Sequence, residues 1–225
     1  MAKFKKKITK NSEKLLIKAF IKEFKHIVLQ KKKLNKRLSF VLAGGSSPLN
    51  LYKQLSKIKI NWSLIDLFWG DERFVSKKSN NSNFKLVQKY LIKKIKINKQ
   101  NIYAINTSKK NIDLSTLDYE QRIKRYFNNK KITFDLILLG MGLDGHIASI
   151  FLNNINPKNN KIVSHVVKKD FKRITLNLKV INKAKNIFLW LNNRNKSNIY
   201  KKNIYKKNIN FNFLNKKNMK IFSIN

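Results

Sequence analysis

Apolar residues recur at helical spacing over residues 11–29, where Leu16, Phe20, Phe24 and Ile27 or Val28 share one face and Asn11 or Ser12 stands where a cap belongs. From Arg37 to Ala43 the segment reads as a strand, ending in Gly44-Gly45-Ser46-Ser47-Pro48. Pro48 suits the first turn of a helix that Leu49, Tyr52 and Leu55 continue. Leu64 to Trp69 is a second apolar strand, followed at once by Gly70-Asp71-Glu72-Arg73. Ser82 or Asn83 opens a helix expected to run to about Ile95. Ile102 to Ala104 is a short strand, and Leu114 to Phe127 a helix that offers Leu117, Ile123 and Phe127 for burial. Leu136 to Leu139 carry no polar break, as a central parallel strand requires. After Pro157 the pattern changes, with strands over Ile162–Val167, Arg173–Leu178 and Asn186–Leu191, a turn or short helix near Asn182, a helix over Lys196–Lys206 and a final short strand over Met219–Ile224. The alternation through the first two thirds predicts right-handed βαβ units and an α/β class: a single-domain, Rossmann-like, mostly parallel sheet with helices on both faces. No internal repeat or Pro/Gly/Ser-rich linker divides the chain, so residues 1–225 are expected to form one domain.

Composition narrows this picture. A chain of 225 residues can bury a sizeable core without cross-links, and 42% apolar with 28% charged residues fits a globular protein. The absence of cysteine excludes a disulfide framework and a cysteine metal site, and three widely separated histidines argue against zinc. No metal site is expected from these residues. The basic N-terminus lacks the apolar core of a signal peptide and no run reaches bilayer length, so the expected location is the cytoplasm, with no membrane partner. The net charge of +40 invites a nucleic-acid reading. Against it, Lys, Asn, Ile and Phe dominate together, all encoded by A/T-rich codons, and the lysines are scattered over the elements. Compositional drift is therefore the favoured account, with no specific nucleic-acid partner. The charge still attracts anionic substrates.

Four segments carry candidate chemistry at strand carboxyl ends, which converge on one crevice in a doubly wound sheet. In Gly44-Gly45-Ser46-Ser47, adjacent glycines free backbone N–H groups for an anion and two hydroxyls add donors, which suits a sugar phosphate. Gly70-Asp71-Glu72-Arg73 sets two acids and a base at a strand end, either to orient a substrate and a developing negative charge or as a surface salt-bridge cluster. Asp144-Gly145-His146 offers a histidine able to take a proton from water with a carboxylate to orient its ring, or, more blandly, a helix-capping Asp beside a satisfied histidine. Arg173 and Lys196 are cations that can reach a phosphate. His26 and His165 read as structural.

In this order, the segments Ala43-Gly-Gly-Ser-Ser-Pro48, Phe68-Trp-Gly-Asp-Glu-Arg-Phe-Val75, Ser82-Asn83, Phe134 to Phe151 with its Gly-Met-Gly-Leu-Asp-Gly-His core, and Arg173-Ile-Thr175 resemble the 6-phosphogluconolactonase family. The same superfamily holds glucosamine-6-phosphate deaminases and isomerases. Those typically carry Asp-Glu-Tyr where this chain has Asp71-Glu72-Arg73, and continue Gly-His-Ile-Ala with Phe-Asn-Glu-Pro where it has Ser149-Ile150-Phe151-Leu152, so both differences point to the lactonase. The resemblance implies hydrolysis of 6-phospho-D-glucono-1,5-lactone, without cofactor, by a monomer or weak homo-oligomer. It makes His146 the general base and Arg73 the partner of the carbonyl oxyanion, with Asp71 and Asp144 orienting these two. Gly44, Gly45, Ser46 and Ser47 would contact the phosphate, helped by Arg173 and Lys196. The chain departs from the family in having Lys168-Lys-Asp-Phe171 before Arg173 instead of a proline-rich approach, Asn193 where a glycine is usual, and a short segment after Phe213 that reads poorly as the usual final strand and helix. A deaminase, or a degenerate sugar-phosphate or nucleic-acid binder, is the competing expectation.

Overall fold

The computed structural model describes residues 6–151, 160–205, 214 and 216–225. Seven parallel strands form its main sheet: β1 (Lys6–Lys10), β2 (Leu38–Leu42), β3 (Ile65–Trp69), β5 (Ile102–Tyr103), β6 (Leu136–Gly140), β9 (Ile187–Leu191) and β10 (Met219–Ile224), in the order β1-β10-β9-β6-β2-β3-β5. Every residue of β2, β3 and β9 is buried, which is what a parallel sheet covered on both faces demands. Alternation assigns the two faces. The in-register residues Phe188, Trp190 and Phe222 point one way and pack on Phe20 of helix α1 (Glu13–Lys33), with ring centroids 5.3, 5.7 and 5.3 Å from it. Loss of the Phe20 ring would cost about 3–5 kcal/mol. On the opposite face Phe68 of β3 meets Tyr126 of helix α4 (Ile112–Tyr126) edge-on at 4.9 Å.

Helix starts follow the side chains that satisfy their free N–H groups. Ser12 accepts the Leu15 N–H to open α1, Asn111 accepts that of Leu114 to open α4, and Ser82 accepts that of Lys85 to open α3 (Asn83–Tyr90). Helix α3 ends at Tyr90, earlier than the pattern predicts, because Leu91 leaves helical geometry and only a short 3-10 turn follows. Pro48 stands just before α2 (Leu49–Leu55). In α4, Leu117 is 51% exposed and Tyr119 takes the buried position instead, its hydroxyl donating to the Trp69 carbonyl and accepting the Trp69 N–H.

A second, antiparallel sheet was not anticipated as such. It joins β4 (Asp71–Arg73), β8 (Lys172–Leu176) and β7 (Val163–Val167) in the order β4-β8-β7. Short α5 (Leu178–Asn182) and then α6 (Arg194–Tyr205) flank β9 in sequence. Asn193 replaces the expected glycine as a cap, accepting the Lys196 N–H. The C-terminal segment completes the sheet, since β10 pairs with both β9 and β1; residues 206–213 lie outside the described residues. Strand β1, read from sequence only as a basic N-terminus, is an edge strand whose lysines discourage further pairing.

Each of the 11 acids makes a specific contact. Beneath the sheet, Asp66 holds Arg37 bidentately and accepts the Tyr126 hydroxyl, while Asp135 takes Lys31, Lys185 and the Ser39 N–H and hydroxyl. Glu13 ties α1 to Asn50 and Asn192, Glu23 binds Lys6 and Lys220, Asp118 binds Lys109, and Glu120 binds Lys124 and two backbone N–H groups. Asp113 faces His165 and Asp170 pairs with Arg173. Asp71, Glu72 and Asp144 belong to the site. Among the described residues no helix is long and apolar enough to cross a membrane.

Candidate active site

Chain order runs outward from β2 through β3 to β5 on one side and from β6 through β9 to β10 on the other. The direction reverses between β2 and β6, and a parallel sheet opens a crevice beyond its carboxyl edge at such a reversal. A cleft of about 480 Å³ lies there, lined by the β2 loop, the β3–β4 corner, the β6 loop, Arg173 and the loop that opens α6. Gly44, Gly45, Ser46, Ser47, Asp71, Arg73, His146, Arg173 and Lys196 all line it.

Strand β6 leads into a tightly folded loop. Gly142 donates to the His146 carbonyl at 2.9 Å and Gly145 to the Gly142 carbonyl at 3.1 Å. Gly145 takes φ +85°, and Ala148 sits at φ +49°, a strained value for a residue with a side chain. The His146 Nδ1 lies 2.5 Å from Asp144 Oδ1. Burial opposes charge on Asp144, but the charge of His146, its ring contact and the local backbone N–H groups outweigh burial and hold the carboxyl below its ordinary value. An ionised Asp144 accepts from Nδ1–H, and in a neutral imidazole that contact leaves the lone pair on Nε2, the tautomer a general base requires. Asp144 caps no helix; it accepts instead from the backbone N–H and the ring of His146. A ring contact at 4.7 Å from Phe151 holds the other side of the imidazole.

Arg73 and Arg173 are cross-strand partners in the antiparallel sheet; β4, which carries Arg73, follows the carboxyl end of β3 at once, whereas Arg173 lies within β8 and not at a carboxyl end of the main sheet. Like charges placed opposite one another are destabilising without an anion to share. The Asp170 carboxylate bonds Arg173 from one side, and the Arg173 and Arg73 Nε atoms are buried without a hydrogen-bond partner among the described residues. Arg73 donates from Nη1 to the Asn81 carbonyl at 2.8 Å. In the loops that follow β9 and β2, on either side of β6, the Lys196 ammonium donates to the Ser47 hydroxyl, and burial lowers its pKa. A lysine bonded to a glycine-loop hydroxyl and two arginines lining the same cleft are groups able to bind a phosphorylated or carboxylated ligand.

Asp71 does not orient Arg73. It is 6% exposed, accepts the Ser149 hydroxyl at 2.8 Å and lies 3.4 Å from the Asn83 amide. Its neighbour Glu72 turns away from the cleft and accepts the N–H groups of Arg73, Asn83 and Phe84 and the Ser82 hydroxyl. Burial pushes Glu72 up to about 7 against the three backbone N–H donors. The two acids are thus an interior device, not a surface salt-bridge cluster. Sequence reasoning also missed Ser149 and Asn83 as site-building residues; Ser82-Asn83 stood among the family-like segments, but nothing in the spacing tied it to the glycine loop.

The model of the family described as glucosamine-6-phosphate isomerases/6-phosphogluconolactonase matches residues 11–213. The chain belongs to that family. It is 38% identical over 118 residues to a 6-phosphogluconolactonase of Nostoc, covering 51% of this chain and 49% of that one, so this match spans about half the relative's length. It is 34% identical over 164 residues to a 6-phosphogluconolactonase of Thermotoga maritima, covering 72% of each. The crystal structure of a Thermotoga maritima 6-phosphogluconolactonase superposes with a TM-score of 0.86 at 25% identity, over 97% of this chain and 98% of the other.

Proposed function

We propose that this chain hydrolyses 6-phospho-D-glucono-1,5-lactone to 6-phospho-D-gluconate, the second step of the oxidative pentose phosphate pathway. The observation that carries the reading is His146, paired with Asp144, in one cleft with Arg73, Arg173 and Lys196. In this reading His146 Nε2 removes a proton from water as its oxygen bonds to the lactone carbonyl carbon. The carbonyl oxygen becomes an oxyanion, which Arg73 stabilises. The ring C–O bond then breaks, and the departing ring oxygen takes the proton back from His146. One water is added, and the new carboxyl group ionises. The glycine loop with Lys196 and Arg173 receives the phosphate. The lactone is already reactive, so positioning, a base and an oxyanion partner suffice, with no metal or organic cofactor. The same reading makes the chain one catalytic domain acting in the cytoplasm, as a monomer or weak homo-oligomer.

The test supplies freshly generated lactone at slightly acidic pH, where spontaneous opening is slow, and follows product with 6-phosphogluconate dehydrogenase. Acceleration over the blank, lowered by about two to four orders of magnitude in a folded His146→Ala variant, supports the assignment. No acceleration by folded wild-type protein, with ammonia released from glucosamine 6-phosphate, would transfer the chain to the deaminase branch.

A further inference from the structure

The glycine loop is held from three directions. The Tyr52 hydroxyl donates to the Ala43 carbonyl at 2.6 Å, the Trp190 indole to the Ser47 carbonyl at 3.2 Å, and the Gly45 N–H points inward to Asn83 Oδ1 at 3.1 Å. The last contact stands apart. Asn83 is 1% exposed, outside the cleft lining, and the first residue of α3. Its amide nitrogen donates to the Asp71 carbonyl at 3.0 Å, and its own N–H is fixed by Glu72 Oε1 at 2.7 Å. The loop folds so closely over this amide that a Cβ at Gly44 would fall 2.0 Å from Nδ2. Gly45, at φ +74°, is the residue whose backbone the contact holds in the left-handed region. With its N–H turned to Asn83, the donors left facing the cleft are those of the rest of the loop, and among the described residues no hydrogen bond takes the Ser46 or Ser47 N–H.

We infer that Asn83 is a positioning residue for phosphate recognition: it presets the Gly44–Ser47 loop without touching substrate. The inference rests on the sugar-phosphate reading of the cleft. A loop held in its binding shape before the ligand arrives avoids the ordering cost at the moment of binding, so the effect belongs in affinity for the phosphorylated end. The reacting end is built separately. Ser149, which follows the His146 loop, reaches Asp71 through its side chain, whereas Asn83 uses mainly the Asp71 backbone carbonyl. Loss of the Asn83 amide therefore leaves His146 and Asp144 in place.

The experiment compares hydrolysis of 6-phosphoglucono-1,5-lactone and of unphosphorylated glucono-1,5-lactone by wild type, Asn83→Ala, Gly44→Ala and the double variant. Expected for Asn83→Ala is a rise in KM for the phosphorylated lactone of about tenfold or more, with its kcat and both parameters for the unphosphorylated lactone within about twofold of wild type. Gly44→Ala attacks the same contact from the loop side; because Gly44 belongs to the binding loop, only a raised KM for the phosphorylated lactone is expected of it. In the double variant the overlap is relieved, so its KM is no worse than that of Gly44→Ala alone. If Asn83→Ala fails to fold, Asn83→Ser, which shortens the side chain and withdraws its oxygen from the Gly45 N–H, decides by the criteria set for Asn83→Ala. A fall in kcat with KM unmoved, equal losses on both lactones, or wild-type kinetics overturns the inference. Equal KM for the two lactones in the wild-type protein would instead overturn the sugar-phosphate reading itself, and this inference with it.

Discussion

Replacing Gly142 by alanine tests the base assignment without removing the base. Gly142 has an ordinary backbone conformation, so alanine is tolerated there by the chain itself. Its Cβ, however, would lie 2.3 Å from His146 Cε1, 2.4 Å from Nδ1 and 2.6 Å from Asp144 Oδ1. Ordinary contact for such atoms begins near 3.4 Å. The ring must therefore retreat by roughly 1 Å, the difference between those distances, and the Asp144 contact is wedged open at the same time. A displacement of about 1 Å at a reacting group costs on the order of 10²-fold, and complete loss of a general base up to about 10⁴-fold. Gly142→Ala should thus lower kcat by about 10²–10⁴, equivalent to about 3–5 kcal/mol of barrier. Thermal unfolding of the variant should stay near that of wild type, because the lesion sits in a surface loop and buries no new polar group. The coupled lactone assay reads the first quantity and calorimetry the second. The combined Gly142→Ala/His146→Ala variant should be no slower than His146→Ala alone, since both lesions remove one function. A kcat within about threefold of wild type in folded Gly142→Ala would refute the reasoning, as would additive losses in the double variant.

Other outcomes follow from the same geometry. Arg73→Lys should lower kcat by about 10²–10³-fold in the lactone assay, because a point charge cannot present the planar fork, and wild-type kinetics would remove Arg73 from the site. Asp135→Asn should lower unfolding free energy by about 3 kcal/mol in denaturant titrations, since it strips the carboxylate from Lys31 and Lys185 in a buried setting. Burial works against charge on Asp135, yet the Lys185 and Lys31 bonds and the Ser39 N–H win and lower its pKa below the unfolded value. Its contribution is therefore complete above the unfolded pKa of about 4 and is lost as pH falls through the folded value, so wild type and Asp135→Asn should converge in stability at strongly acidic pH. RNA binding measured by filter retention should be weak and vanish at physiological salt; sequence-specific binding that survives would restore the nucleic-acid reading.

The central strands were legible because burial on both faces leaves an apolar run, unbroken at Leu136–Leu139 and interrupted only by Asp66 at Ile65–Trp69. Helix α1 was legible through its single face and Ser12 cap. Strand β1 was not, since an exposed edge strand of Lys-Lys-Ile-Thr-Lys has no core-facing pattern to read. The three residues of β4 are too few to show a period, and their pairing with β8 joins segments about a hundred residues apart. That pairing is also what places Arg73 beside Arg173, a relation no local spacing contains. The site loops were readable one by one from their glycines, His146 and Arg73. Their mutual bracing through Asp71, Asn83 and Ser149 was not, because it depends on tertiary contact between residues far apart in sequence, and Asn is so common here that Asn83 carried no compositional signal. Leu117 was misplaced because a helical apolar pattern does not distinguish it from Tyr119, whose hydroxyl finds both partners on Trp69.

The engagement of every acid has a consequence for the medium in which this protein folds. There are 51 lysines and arginines and only 11 carboxylates, each already committed to a structural or site contact. Most surface cations have no carboxylate within the molecule to answer them, and their mutual repulsion opposes compaction. The counter-charge must come from outside. Phosphate esters, nucleotides and other mobile anions of the surroundings screen the shell and act as the missing half of its ion pairs. The folded chain is in that sense a salt whose second ion is supplied by its medium, and its stability is a property of the solution as much as of the sequence.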